Sequence, residues 1–166
     1  MNERKKMNLK VYRLRPGAQL PHRAHREDAG MDLFYCPDPS SGSPSCIVKS
    51  DGSYIMGPGS SCLLPTGIKV EVPSGNMLEV KNKSGIAFKR QLVVGACVID
   101  PGYDGEVFVN LHNIGTDTQV IEPGQKVAQA VLMPVVYCAV EEIENGAVMN
   151  VGSARSVGGF GSTGLR

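Results

Sequence analysis

Short apolar–polar alternation, broken every few residues by glycine or proline, leaves this chain little room to be anything but a β protein. In Gly67-Ile-Lys-Val-Glu-Val-Pro73, Ile68, Val70 and Val72 fall on one side and Lys69 and Glu71 on the other. That is the two-residue period of a strand with one dry face. Pro73-Ser-Gly-Asn76 reads as a turn, and residues 77–81 as the returning strand. Residues 106–112 alternate too, with Val107, Val109 and Leu111 in phase. Residues 127–136 form a longer, more apolar run after the turn Glu122-Pro-Gly-Gln125, which predicts a strand buried on both faces. Only residues 84–90 look helical. With 20 glycines and 11 prolines punctuating the chain, the expected fold is all-β, a barrel or jelly roll with one short helix.

Length and charge narrow the function. The 166 residues suit one domain with a real core. A formal net charge of +1 offers no broad basic face, which argues against nucleic-acid binding. No apolar run approaches spanning length, so no membrane role is expected. The charged start, Met1-Asn-Glu-Arg-Lys-Lys-Met-Asn, is followed by no apolar segment, so a cytoplasmic protein is expected, or one of the nucleus or host-cell interior. The five cysteines, at 36, 46, 62, 97 and 138, are odd in number and form no C-x-x-C. Most have apolar neighbours, which predicts buried, reduced thiols rather than a disulfide framework or zinc site; an approach of Cys46 to Cys62 across a loop is the weaker alternative. His22, His25 and His112 lack partners at metal-ligand spacing and read as exposed or structural. Residues 37–60, rich in Pro, Gly and Ser, read as a surface excursion around a small hairpin, with passive decoration favoured over a partner-binding role.

Five polar, glycine-containing clusters interrupt the β background. Asp28-Ala-Gly-Met-Asp-Leu33 reads either as a turn admitting a strand or as an anchor, through Asp32, for a cation or basic side chain. In Lys81-Asn-Lys-Ser-Gly-Ile-Ala87, Ser84 is either a plain helix N-cap or part of an anion site flanked by Lys83. Residues 94–107 read as a strand, a tight turn containing Asp100 and Tyr103, and another strand. Such a hairpin needs no functional reason, yet its backbone groups can read the edge of a pyrimidine while Tyr103 packs on a sugar and Asp100 orients a water. In Pro123-Gly-Gln-Lys-Val-Ala-Gln129, Gln129 is a polar residue in an apolar run, a satisfied core amide or an interface group. The tail, Arg155-Ser-Val-Gly-Gly-Phe-Gly-Ser-Thr-Gly164, holds four glycines, three hydroxyls, one arginine and one aromatic ring. It reads as a disordered end or as a phosphate cradle, with Arg155 a fork of donors and Phe160 a ring able to lie on a base.

The order and spacing of these clusters resemble the five motifs of the trimeric dUTPase family, from about residue 8 to the end. Asp28–Leu33, Lys83-Ser-Gly-Ile-Ala87, Gly95–Glu106, Gly124-Gln-Lys-Val-Ala-Gln129 and Arg155–Gly164 match the motifs in turn, the third and fifth most specifically. The resemblance implies a jelly-roll-like barrel over residues 1–150 and a C-terminal arm, 151–166, that closes a neighbouring site in a homotrimer. It implies hydrolysis of dUTP to dUMP and pyrophosphate by attack of water on the α-phosphorus, clearing dUTP and supplying dUMP for thymidylate synthesis. Asp100 would orient and deprotonate the water. Mg2+ would be held by the triphosphate and water rather than by protein ligands. Lys83, Ser84, Gly85 and Gln129 would bind phosphates from the barrel, with Arg155, Gly161, Ser162 and Thr163 on the arm. Gly95, Val98 and Ile99 would pair with uracil, Tyr103 would press on the deoxyribose, and Phe160 would stack over the base. Asp32 would neighbour Lys83. The chain departs from the family pattern at Lys83, where arginine is usual, and at Pro101-Gly102, where polar residues are usual. A dCTP deaminase of the same fold, or a nucleotide-gated regulator using the same pocket, are the competing expectations.

Overall fold

Twelve strands and one helix are found among the described residues of the structure, a computed structural model that describes residues 7–40, 45–144, 146 and 152. In chain order they are β1 (Lys10–Arg13), β2 (Met31–Phe34), β3 (Ile47–Val48), β4 (Tyr54–Met56), β5 (Ser61–Pro65), β6 (Ile68–Glu71), β7 (Asn76–Lys81), α1 (Ser84–Arg90), β8 (Leu92–Val94), β9 (Val98–Ile99), β10 (Phe108–Asn113), β11 (Gln119–Ile121) and β12 (Lys126–Pro134). The chain divides into two units, 1–136 and 137–166. All thirteen elements belong to the first.

The strands pair antiparallel in four sheets, ordered β1-β6, β5-β10-β8, β11-β4-β3 and β2-β12-β7-β9. The expected barrel is therefore not closed. Strands of two to nine residues, cut by glycine, proline and a register shift in β12, end before their ladders can join around a ring.

Alternation did what it predicts. Ile68, Val70 and Val72 are buried, and so are Val107, Val109 and Leu111. The turn before β7 closes through the Asn76 amide on the Pro73 carbonyl at 3.2 Å, with Gly75 at φ +80°. β12 departs from expectation. It ends at Pro134, and only its first half is buried; residues 131–133 are half-buried and Pro134 is exposed, so within this chain one face remains open.

The segment 37–60 holds the expected small hairpin, but it is more than surface. It contributes β3 and β4, which pair with each other and, through β4, with β11, and it sends Tyr54 and Met56 into the core. The cysteine reading also needs correction. Cys46 and Cys62 form a disulfide, with Cα atoms 6.1 Å apart, joining the root of β3 to β5. Cys36 is buried and free as expected, Cys97 is half-buried and Cys138 is exposed. Local neighbours reveal a cysteine's burial but not which distant strand will lie against it. No helix among the described residues is long and apolar enough to cross a membrane.

Candidate functional site

The third cluster forms a wall. β9 pairs with β7 through Leu78↔Ile99 and Glu79↔Val98, and the Val80 amide donates to the Cys97 carbonyl at 2.7 Å. β9 is the edge of its sheet, so its outward backbone groups have no ladder partner among the described residues. The chain then reverses over Asp100-Pro-Gly-Tyr, with the Tyr103 amide on the Asp100 carbonyl at 3.3 Å and Gly102 at φ +86°. Proline followed by a left-handed glycine is the pattern of a type II turn. The Pro101-Gly102 departure thus builds the bend rather than disturbing it. Tyr103, 47% exposed, donates its hydroxyl to the Glu106 carbonyl at 3.0 Å. A Cβ at Gly105 would lie 2.3 Å from that hydroxyl, so a side chain there would push the ring away.

This wall bounds a cavity of about 310 Å³, at the small end of ligand sites, which run about 300–1,000 Å³. Val98, Ile99, Asp100 and Tyr103 line it, with Val80 and Phe108 behind them. Asp100 and Val98 are exposed and Ile99 is half-buried. Glu106 also borders the cavity, but its carboxylate is committed elsewhere. Arg15 grips both oxygens, one nitrogen at 3.0 Å, and the Gly67 amide donates to one of them at 2.6 Å. A carboxylate so engaged is a strut, not a free acid.

A second cluster gathers toward the other edge of the same four-stranded sheet. Asp32 on β2 is 4% exposed. Lys83 reaches its Oδ1 at 2.6 Å and Lys126 its Oδ2 at 2.7 Å. Burial drives the carboxyl pKa upward, but the two ammonium groups outweigh it and hold the group below its usual range. Lys126 also lies over the Phe34 ring, 5.9 Å from its centre. Two cations on one carboxylate leave a positive balance suited to an anion.

Gln129, opposite Asp32 in the β2–β12 ladder, donates to the Asn82 carbonyl at 2.9 Å. Asn82 in turn accepts from the Val94 amide at 2.6 Å. Gly30 is needed there, since a Cβ would sit 2.0 Å from the Gln129 oxygen. Ser84 and Gly85 are exposed at the start of α1, and no neighbour approaches within 4 Å of where a Gly85 Cβ would be. Ser84 is not the cap: Lys83 occupies the N-cap position, with extended backbone and no side-chain cap bond.

The structure thus brings together Val98, Ile99, Asp100 and Tyr103 in one place, and Asp32, Lys83 and Gln129 in another. Gly95 lies just after β8, and the expected hairpin over residues 94–107 does not form: β8 pairs with β10, β9 pairs with β7, and the next strand begins only at Phe108. Lys83, Ser84, Gly85 and Gln129 do not line the cavity. Arg155, Phe160, Gly161, Ser162 and Thr163 lie outside the described residues. Sequence reasoning missed Lys126 and Asn82. Lys126 stood inside a quoted motif, and its charge beside Gln129 was the available signal.

Among the described residues, no group of three or more His, Cys, Asp or Glu is placed to hold a metal ion. Asp32 is engaged by two lysines, and Asp100 is a single exposed carboxylate.

An all-β scaffold with a small edge-strand pocket and a separate cationic cluster defines a class of compact ligand-binding folds. Solved relatives give that class its shape. A structure of Staphylococcus bacteriophage 80alpha dUTPase with dUPNHPP superposes with TM-score 0.75 at 23% identity, over 96% of this chain and 100% of that one. A mutant dUTPase of phage phi11 of S. aureus, described with a structural Mg(II) ion, gives TM-score 0.70 at 23% identity, over 84% and 98%. The deoxyuridine 5'-triphosphate nucleotidohydrolase of Clostridium tetani (strain Massachusetts / E88) is 37% identical over 158 residues, 94% of this chain and 96% of the relative. The family model dUTPase matches residues 47–164, and the chain belongs to the dUTPase family.

Proposed function

We propose that this chain hydrolyses dUTP to dUMP and pyrophosphate by attack of water on the α-phosphorus. The observation that carries the reading is the cavity walled by an edge strand and closed by the Asp100–Tyr103 turn, in a chain of this family. The outward backbone of β9, with Gly95, Val98 and Ile99, reads the uracil edge. A cytosine would set an amine against a donor and leave both unsatisfied, the kind of mismatch that discriminates strongly. Tyr103, held by its bond to Glu106, packs on the deoxyribose and excludes a ribose hydroxyl.

Asp100 accepts the proton of the attacking water. Lys83, Ser84, Gly85 and Gln129 bind phosphates, and the positive balance around Asp32 supports that role. Arg155, Gly161, Ser162, Thr163 and Phe160 close the site from the arm, Phe160 over the base, and water exclusion strengthens each charge contact. Magnesium bound with the triphosphate would spread the charge of the departing pyrophosphate. The separation of the two clusters within one chain supports a site assembled from several copies, and we assign the working form as a homotrimer inside the cell. The deaminase alternative is disfavoured by Glu106, the cavity's glutamate, whose oxygens are held by Arg15 and Gly67.

The test is Asp100→Asn, with dUTP, dCTP, dTTP and UTP offered in magnesium and both pyrophosphate and ammonia scored. We expect dUTP turnover to fall about 10²- to 10⁴-fold, as for a lost general base, with nucleotide affinity nearly unchanged. Unaltered turnover would remove Asp100 from the chemistry. Ammonia from dCTP in the wild type would overturn the reaction assignment.

A further inference from the structure

We propose that Asn110 is a positioning residue for base recognition: its side-chain oxygen holds the Ala96 amide and so sets the wall against which the heterocycle edge is read. The inference rests on the dUTP reading above. Asn110 lies on β10, the strand between β5 and β8. Its backbone carbonyl accepts from the Gly95 amide at 2.9 Å, and its Oδ1 accepts from the Ala96 amide at 3.2 Å. Its Nδ2 donates to the Ser61 hydroxyl at 3.0 Å and faces the Cys62 carbonyl at 3.4 Å. One residue thus grips the chain at two successive amides, Gly95 and Ala96, just where it leaves β8. Three residues further on the chain becomes the edge strand β9.

The orientation of the carboxamide is fixed by chemistry. An amide N–H at Ala96 demands an acceptor, so Oδ1 must face it, and the Ser61 and Cys62 oxygens then meet Nδ2. The same Oδ1 lies 2.9 Å from His112 Nε2, so that nitrogen carries the proton and donates. Gly95 makes the arrangement sterically feasible. A Cβ there would come within 2.2 Å of Asn110 Oδ1 and 2.3 Å of His112 Nε2. The glycine expected to approach the base is also required for the clamp behind it. Without the clamp, Gly95 keeps one backbone bond to β10 and Cys97 one to β7, but the Ala96 peptide between them loses its fixed offset from the cavity. A loosened wall weakens binding of uracil more than it slows the chemical step, because misplacement acts on recognition before the water is engaged.

The variants are Asn110→Ala, which removes the acceptor; Asn110→Asp, which keeps an oxygen toward Ala96 and gives up the donor; and Ser61→Ala, which trims only the β5 side. We expect Asn110→Ala to raise KM for dUTP about tenfold with kcat within twofold, and to narrow the preference for dUTP over dCTP. Asn110→Asp should restore most of the KM, and Ser61→Ala, which loosens the carboxamide but leaves the acceptor for Ala96, should fall between the wild type and Asn110→Ala. Amide hydrogen exchange at Ala96, read without nucleotide, should quicken in Asn110→Ala and stay slow in Asn110→Asp. A wild-type KM in Asn110→Ala, or equal KM in the Ala and Asp variants, would sink the proposal. A wild-type protein inert toward dUTP would instead sink the functional reading, and the exchange at Ala96 would still decide whether the clamp exists.

Discussion

Asp32 is nearly sealed from water and yet is gripped by two lysines. Its carboxyl is held below the usual range, so it stays ionised in the folded state at acidities where it would protonate in the unfolded chain. The sign follows: its contribution is present above the unfolded value near 3.8 and is lost as pH falls through the depressed folded value. We expect wild type to be more stable than Asp32→Asn near neutrality, and the gap in urea midpoint to close as pH drops below about 4. A gap independent of pH would show that packing, not charge, is what Asp32 supplies. The Asp32–Lys83 pairing was legible in the sequence because both residues stood in recognisable motifs. Lys126 was not, because it reaches Asp32 through a register shift in β12 between Lys126 and Ala128, and a bulge leaves no local signature. Asn110 was hidden for a related reason: it sits in an alternating strand where a polar residue reads as solvent-facing.

Single elements were legible in proportion to how one-sided their surroundings are. β6 and β10 each bury one face, so alternation exposed them directly. The helix was readable over all of residues 84–90. The β3–β4 pairing matches the small hairpin expected within residues 37–60, but its attachment to the fold was not legible, because β11, the second partner of β4, lies far along the chain. The Cys46–Cys62 disulfide belongs to the same non-local geometry. It closes a segment with a sequence separation of 16, and chain-entropy arguments assign such a closure about 3 kcal/mol. We therefore expect a reductant to lower the urea midpoint of the wild type and to leave Cys46→Ala unmoved, with turnover of dUTP little affected in either. Equal midpoints with and without reductant would mean that the link contributes nothing to the fold in solution.

At the level of the whole molecule, the two functional clusters hang on one four-stranded sheet but do not share a cavity. The proposed site, assembled from several copies, makes a distinctive demand. Asp100→Asn subunits and subunits lacking residues 155–166 should each be nearly inactive alone. When the two are unfolded together and refolded as mixtures, hybrid assemblies should regain a measurable fraction of activity, because some sites then combine an intact Asp100 with an intact arm. Activity in the mixture no greater than the sum of its parts would mean that each chain completes its own site. The overall architecture was readable as all-β from period and punctuation, whereas the failure of the sheets to close depends on strand ends, which local pattern marks poorly. The seam that fastens β9 to its sheet has further meaning. Two register pairs and the Val80–Cys97 backbone bond hold that strand to β7, and Ile99 packs against the core beneath. The part proposed to tell one base from another is therefore fastened lightly at the rim of its sheet, while most of the core is built from other strands.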